Sequence, residues 1–477
     1  MAGVASAQRD AEPSYFTWAP VDILNLHDSV AVYLTADEIN TPYSDQSSIA
    51  VINSKGVETG PEVPLPKFVL GMARFNGNII AFYQPEKKNE QRELHAVLID
   101  LVHRKVLSDK QVYAVPGMYT TQFIIERDPE GNFQGLVARV SGLKEKLQVL
   151  DMEAALNDAH YVATTSLSLT TLSPDLQPTM VPLNSVAVQG AFVTSAINRA
   201  GELFLVSQAN GEMVAEKFSA SGSLATKISE AFQPRSKSHM TVVGSLDKAT
   251  DNAIIVAVKY KKEDKDEAEA AFEFDFTSGK AYGGKEDILN KDYYRYLKAD
   301  TSQATKIKSS NIKFIERLVP ISIVETRDYI AICKEIEYVI STGSGSSYVN
   351  HYWCDAAILT VYDHQMNLVR SITLDKTLET FVESYPGIDI HLDGDKLYAI
   401  TAEVAGVASL AEYSYSIDLK TGAQDKKKLR KAYWGRAAVT RPEYTFWIKD
   451  GFVMNYELSR GLTGRKVKTY FLPGAFE

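Results

Sequence analysis

Long apolar runs, cysteine and tryptophan are scarce in this chain, and each shortage closes off a class of protein. No stretch reaches the roughly eighteen uninterrupted apolar residues that a spanning helix needs, so no membrane insertion is expected. Only two cysteines, Cys333 and Cys354, occur among 477 residues. That excludes a disulfide-dense scaffold and a zinc site built from four thiolates. The two fall in neighbouring predicted strands of one hairpin, which leaves open a disulfide between them or two separate buried thiols. The Gly-x-Ser-x-Gly elbow that exposes a hydrolase serine is absent, as is the His-Glu-x-x-His pair of a zinc enzyme. Eight histidines occur singly. His239, His351 and His391 are the ones to inspect for a metal assembled from separate strands; no metal and no cofactor is otherwise expected.

Charge of one sign is not concentrated either. The net charge of −9 is spread in short mixed clusters, which argues against a nucleic-acid partner. The densest basic run, at 426–431, follows a predicted turn and reads as a lysine-protected strand edge. Ala2-Gly3-Val4-Ala5-Ser6-Ala7-Gln8 resembles the tail of a secretory signal, with Ala5-Ser6-Ala7 as a small-residue cleavage pattern, although the basic and long apolar parts are missing. A periplasmic or secreted location is the expectation this supports; a loose alanine-rich start to a cytoplasmic chain is the other reading.

Aromatic residues are plentiful, with 25 tyrosines and 19 phenylalanines, and they favour strands. A repeat organises them. A turn signal precedes an apolar strand eight times, at 30–34, 79–83, 135–138, 203–206, 254–258, 329–332, 397–400 and 452–456. Each is followed by a second strand, usually ending in an acidic or amide residue before a polar turn: 49–53, 96–100, 147–151, 214–218, 272–276, 358–363, 413–418 and 467–471. Successive first strands begin 49 to 75 residues apart, enough for a hairpin plus one inner and one outer strand, the content of a propeller blade.

The expected fold is therefore all-β: an eight-bladed β-propeller spanning residues 15–477 as one domain, with residues 1–14 as a signal remnant or disordered start. Seven blades, with one weak hairpin shared in closing the ring, is the alternative, and a pair of β-sandwiches the next. Because the last hairpin has no strand after it, Tyr15-Phe16-Thr17-Trp18 is expected to supply the outer strand of the last blade and close the ring. Two connections, 152–186 and 280–312, read as surface excursions. The second has a short helix at 287–298, whose Tyr293, Tyr294 and Tyr296 either cover a neighbouring blade or form a contact surface.

Two phrases, Phe274-Asp275-Phe276-Thr277-Ser278-Gly279-Lys280 and Ser416-Ile417-Asp418-Leu419-Lys420-Thr421-Gly422, resemble the x-D-x-x-T-G-K phrase of quinoprotein-like eight-bladed propellers. The tryptophan which those families place after the glycine is replaced by Ala281-Tyr282 and Ala423-Gln424, so the resemblance implies the architecture and not the quinone chemistry. Gly343-Ser344-Gly345-Ser346 lacks the lysine of a phosphate loop and reads as a hairpin tip. Asp389-Ile390-His391-Leu392-Asp393-Gly394-Asp395 places carboxylates as a calcium loop does, but Ile400 stands where the bidentate glutamate belongs, so it reads as a turn. The recognition candidate is the loop of residues 341–353, with Tyr348, Asn350, His351, Tyr352 and Trp353, whose rings suit a sugar face or a protein anchor unless Tyr352 and Trp353 begin the next strand. These features point to a non-catalytic, extracytoplasmic binding or scaffold propeller for a protein, peptide or glycan. The alternatives are a glycan-active hydrolase or lyase with its site in the central channel, and a cytoplasmic interaction hub.

Overall fold

A computed structural model describes residues 14–16, 18–26, 29–36, 47–53, 59–66, 69–85, 91–116, 119–128, 130–142, 164–234, 240–247, 250–262, 266–290, 312–342, 349–380, 388–393, 396–406, 409–433, 446–448, 451–459 and 465–473. These residues form strands and short 3₁₀ turns, with no α-helix among them.

Strand β1 (Ser14–Phe16) stands apart in sequence from its own sheet. The first sheet is β2 (Trp18–Asn25), β3 (Ser29–Ala36), β4 (Ser47–Asn53) and β5 (Val63–Leu65). The second is β6 (Val69–Phe75), β7 (Asn78–Tyr83), β8 (Gln91–Asp100) and β9 (Lys105–Pro116). Then come β10 (Tyr119–Arg127), β11 (Phe133–Gly142), β12 (Thr164–Leu172) and β13 (Pro178–Pro182), followed by β14 (Ala191–Ile197), β15 (Leu203–Ala209), β16 (Glu212–Phe218) and β17 (Leu224–Ala231). The fifth sheet is β18 (Thr241–Leu246), β19 (Ala253–Lys261), β20 (Glu267–Asp275) and β21 (Lys280–Gly283), with β22 (Asp287–Ile288) added on β20. The sixth is β23 (Leu318–Glu325), β24 (Ile330–Thr342), β25 (Val349–Tyr362) and β26 (Leu368–Thr380). The seventh is β27 (Ile388–Asp393), β28 (Lys396–Gly406), β29 (Ser409–Asp418) and β30 (Gln424–Tyr433). The last joins β31 (Phe446–Ile448), β32 (Gly451–Ser459) and β33 (Arg465–Pro473) to β1, which pairs with β33 through Ser14↔Thr469, Tyr15↔Lys468 and Phe16↔Val467.

All eight sheets are antiparallel meanders, and the eight turn-plus-strand repeats are their second strands. Those with described side chains read as continuous apolar runs because they are covered on both faces. β15 is buried at every residue and β19 at all but the last, whereas the fourth strands β13 and β17 are largely exposed. Face-to-face contact between consecutive sheets produces this gradient. One core cluster joins Phe204, Val206 and Met213 to Ile254, Phe272 and Phe274 of the next sheet, and another joins Leu359 and Ile372 to Leu397 and Tyr415. Burying a side chain such as Phe272, fully enclosed, contributes about 2–3 kcal/mol.

The acidic ends of the third strands have a local cause. Asp100, Asp275, Asp363 and Asp418 each accept backbone N–H groups of the turn that follows them, which closes the turn into the fourth strand. A second set caps the turn after the first strand: Asp128, Asn198, Asp247 and Thr326 accept N–H groups two to four residues on. Asn76-Gly77 and Asn210-Gly211, all with positive φ, form the tight hairpin turns that this dipeptide favours.

Several expectations are corrected. The third hairpin pairs β11 with Thr164–Leu172, not with 147–151, which lies outside the described residues. Leu167 and Leu169 alternate inward and complete a core with Val137. The 152–186 connection therefore carries β12 and β13. The 280–312 connection begins with β21 and β22; Asp287 is in a strand pairing with β20 rather than opening a helix, and Tyr293, Tyr294 and Tyr296 lie outside the described residues. Of the expected closing strand, Ser14–Phe16 pairs with β33 while Trp18 opens the first sheet. Both cysteines are free and buried. The register sets Cys333 opposite Leu359 and Cys354 opposite Glu337, so the hairpin geometry never brings the thiols face to face.

First strands of consecutive sheets pack closely. A Cβ on Gly244 of β18 would sit 2.6 Å from Thr194 Cγ2 on β14. Gly244→Val is expected to cost about 1–3 kcal/mol by overpacking, measured by denaturant unfolding; unchanged stability would contradict this contact.

Candidate functional site

The first strands of consecutive sheets touch in turn, from β2 to β6, β10, β14, β18, β23 and β27, making these strands a common inner wall. Several of its polar groups join neighbours. Asp22 Oδ2 accepts from Met72 N at 2.7 Å and from Arg127 Nη2 at 2.6 Å, linking β2 to β6 and to β10. Gly71 leaves room for this crossing, since a Cβ there would lie 3.1 Å from Asp22 Oδ2 and 3.3 Å from Arg127 Nη2. The Ser195 hydroxyl donates to Glu126, joining β14 to β10. Burial pushes the Glu126 carboxyl up to about 7 despite that hydrogen bond and the nearby Arg127. Trp447 Nε1 donates to Asp389 Oδ2 at 2.6 Å, and the His391 ring stacks on Trp447 at 5.0 Å, joining β27 to β31.

The sixth sheet departs from this plan. β24, β25 and β26 are 13, 14 and 13 residues long, and β23 pairs with β24 only as far as Leu318↔Ile336. Beyond that point β24 and β25 continue together to Thr342↔Val349, so the hairpin extends past the first strand of its own sheet. No described strand pairs with the other side of β24 at Val339 and Ile340, whose side chains are 51% and 41% exposed. The residues expected in a recognition loop are therefore in a strand. His351 and Trp353 lie on β25, as do Asn350 and Tyr352 by backbone, while Tyr348 and Gly343-Ser344-Gly345-Ser346 lie outside the described residues, as does His239. His351 Nε2 shares a hydrogen bond of 2.9 Å with Thr342 Oγ1 across the hairpin.

An aromatic stack supports the base of this extension. Phe314, in the 3₁₀ turn Ile312–Arg317, lies flat on Tyr338 at 4.2 Å, and the Tyr338 ring is parallel within 2° to that of Trp353, with centroids 6.0 Å apart. The Tyr338 hydroxyl donates to Asp355 Oδ2 at 2.7 Å. Below the stack lies a buried charge network that sequence reasoning missed. Lys376 pairs with Glu335, both fully buried, and Lys334 pairs with Glu269 of the preceding sheet at 2.5 Å. On the following sheet, Glu403 accepts from Thr401, Tyr415 and Lys426 at 2.8, 2.9 and 2.7 Å. Burial, then the charge of Glu335, pushes the Glu337 carboxyl up to about 8, and burial pushes the Cys333 thiol up. The only sequence signal was the presence of charges inside apolar strands, Lys334-Glu335-Ile336-Glu337 and Lys376, which alternation alone would assign to solvent. The small cleft between the fifth and sixth sheets, lined by Glu269, Lys285, Asp287 and Lys334 among others, has room for little more than a water molecule.

Consecutive four-stranded antiparallel meanders, in contact through their first strands, define a protein of the β-propeller class. No family model matches the chain, and no curated protein matches it. Solved structures of similar shape include a prolyl endopeptidase (9% identity, 94% of this chain and 55% of that one, TM-score 0.41). They also include the β-propeller domain of the trilobed protease from Pyrococcus furiosus (11% identity, 84% and 95%, TM-score 0.34) and the WD40 domain of SCAP from fission yeast (8% identity, 98% of each chain, TM-score 0.35). The chain spans about half the length of that prolyl endopeptidase. No helix among the described residues is long and apolar enough to cross a membrane.

Two predictions follow from the charge network. Lys376→Met leaves the Glu335 carboxylate buried without its cation and is expected to cost about 3–5 kcal/mol, read by denaturant unfolding; a cost under about 1 kcal/mol would mean that Glu335 reaches water. Glu337 has a folded-state value raised above its unfolded one, so its contribution is lost as pH rises from about 4.5 to about 8. The stability advantage of Glu337→Gln over the parent chain should therefore widen across that window and level off above it, measured by unfolding at several pH values.

Proposed function

We propose that this protein is a non-catalytic binding propeller, an eight-bladed ring closed by β1 on β33, and that the β24–β25 extension is its recognition element for a protein or peptide partner. The observation that carries the reading is the exposed apolar pair Val339 and Ile340 on an edge of β24 that no described strand covers. Isolated exposed apolar residues are ordinary. Here two consecutive ones sit on the part of β24 that continues past the end of β23, level with the end of β26 and near stacked rings. Such a strand offers backbone groups for an added strand and side chains for shallow pockets. The inner wall favours the same reading, because Asp22, Glu126 and Asp389 are each engaged in joining neighbouring strands rather than converging on one point, as a site in the channel would require.

The test is a peptide-display selection on the purified chain, repeated with the Val339→Asp, Ile340→Asp double variant. Aspartates oppose strand addition and apolar contact at this edge, so selected peptides should bind the variant at least about tenfold more weakly, with unchanged thermal unfolding. Binders indifferent to the double variant, or selected only by other surfaces, would overturn the assignment of the hairpin. Retained binding to a glycan array with no peptide selected would replace the partner class.

A further inference from the structure

At the opposite end of the sixth sheet, a histidine and two carboxylates from two sheets meet. Asp247 follows β18, Glu273 lies on β20, and His364 sits in the turn between β25 and β26, with one ligand atom of each within 4.8 Å of the others. Asp247 and Glu273 are 0% and 3% exposed.

Three features of this group suit a bound metal ion. The first is the orientation of the imidazole. His364 Nε2 lies 3.0 Å from the Thr326 carbonyl, which can only accept, so that nitrogen carries a proton and Nδ1 is the one directed at Glu273, 3.4 Å away. A ring nitrogen tied to a backbone carbonyl while the other faces carboxylates is the arrangement that orients metal-binding histidines. The second is Glu273 Oε2, which is buried and makes no hydrogen bond with any described residue. An unsatisfied carboxylate oxygen in such a position is costly unless a cation or proton meets it. The third is spacing: donors around a tetrahedral ion with bonds of about 2.1 Å lie about 3.4 Å apart, the separation seen between Nδ1 and Oε1 of Glu273. The Thr250 hydroxyl and amide hold Asp247 in place at 2.8 and 3.3 Å.

We infer that Asp247, Glu273 and His364 form a binding site for one divalent transition-metal ion, with zinc as the natural occupant, which fastens the fifth sheet to the sixth. The imidazole selects against magnesium and calcium, which prefer all-oxygen surroundings. Three protein donors leave a fourth position for water. Two carboxylates and one imidazole, neutral once metal-bound, balance the dication.

The purified full-length chain, stripped with a chelator and dialysed, is titrated with ZnCl2 by calorimetry and followed by thermal unfolding; CoCl2 supplies a visible spectrum that reports coordination number. One equivalent of zinc should bind, unfolding should shift upward, and cobalt should give the intense bands of a four-coordinate site. MgCl2 and CaCl2 should do neither. His364→Ala and Asp247→Asn should each weaken zinc binding by at least about 100-fold, whereas His351→Ala, at the far end of the sheet, should leave it unchanged. Asp247→Asn retains the shape of the side chain, so it decides the matter if His364→Ala proves too unstable to purify. Zinc uptake equal in the parent and Asp247→Asn chains, or no uptake by the parent, overturns the site and leaves His364 as a hydrogen-bonded link between sheets.

Discussion

Burial of second strands such as β15 and β19 between neighbouring sheets is the interaction on which the rest of this architecture depends. A single four-stranded meander of this size has two apolar faces and no means of covering either. Stacked side by side, the sheets share cores, as Phe204 and Phe272 do, and second strands such as β15 and β19 become interior elements. The exposed rim at β13 and β17 and the joined inner wall follow from the same stacking. The run of lysines on β30 also follows. It lies on the open edge of its sheet, where charge discourages pairing with another chain.

Polar residues in this arrangement serve three structural purposes before any is available for function. Aspartates and their equivalents close the turns, Asp22, Glu126 and Asp389 knit the inner strands, and the Glu335–Lys376 and Lys334–Glu269 pairs lie between and within sheets. Buried pairs of this kind add little net stability against an apolar replacement but make misalignment expensive. They therefore suit strands such as β24 that must keep one register while extending beyond their neighbours.

The sixth sheet is where the regular plan is exceeded, at both ends. Its long hairpin leaves Val339 and Ile340 exposed beyond the end of β23, while its far turn brings His364 onto Glu273 of the preceding sheet. A binding edge and an intersheet fastening are compatible on one sheet, since a hairpin that presents a surface works best when its base cannot rock.

Strand identity, the repeated turn-plus-strand pattern and the acidic turns were legible in the residues themselves. Apolar runs, Asn-Gly pairs and strand-ending aspartates are local, and their physics acts over a few residues. The second strand of the third repeat was misplaced because several alternating segments lay within reach, and only pairing with β11 selects Thr164–Leu172. Within the segment 341–353, residues 349–353 lie on β25, the alternative left open for Tyr352 and Trp353: hairpin length depends on which strands stand beside it, and Ser/Gly-rich sequence does not report that. Charges within apolar strands, such as Glu335, Glu337 and Lys376, could not be located from periodicity, because their partners are supplied by other strands. The same holds for Asp247, Glu273 and His364, which are far apart in the chain. The sequence by itself determined which segments are strands and how they turn; the tertiary structure alone decided which side chains meet, because those meetings are made by the stacking of sheets and leave no local pattern.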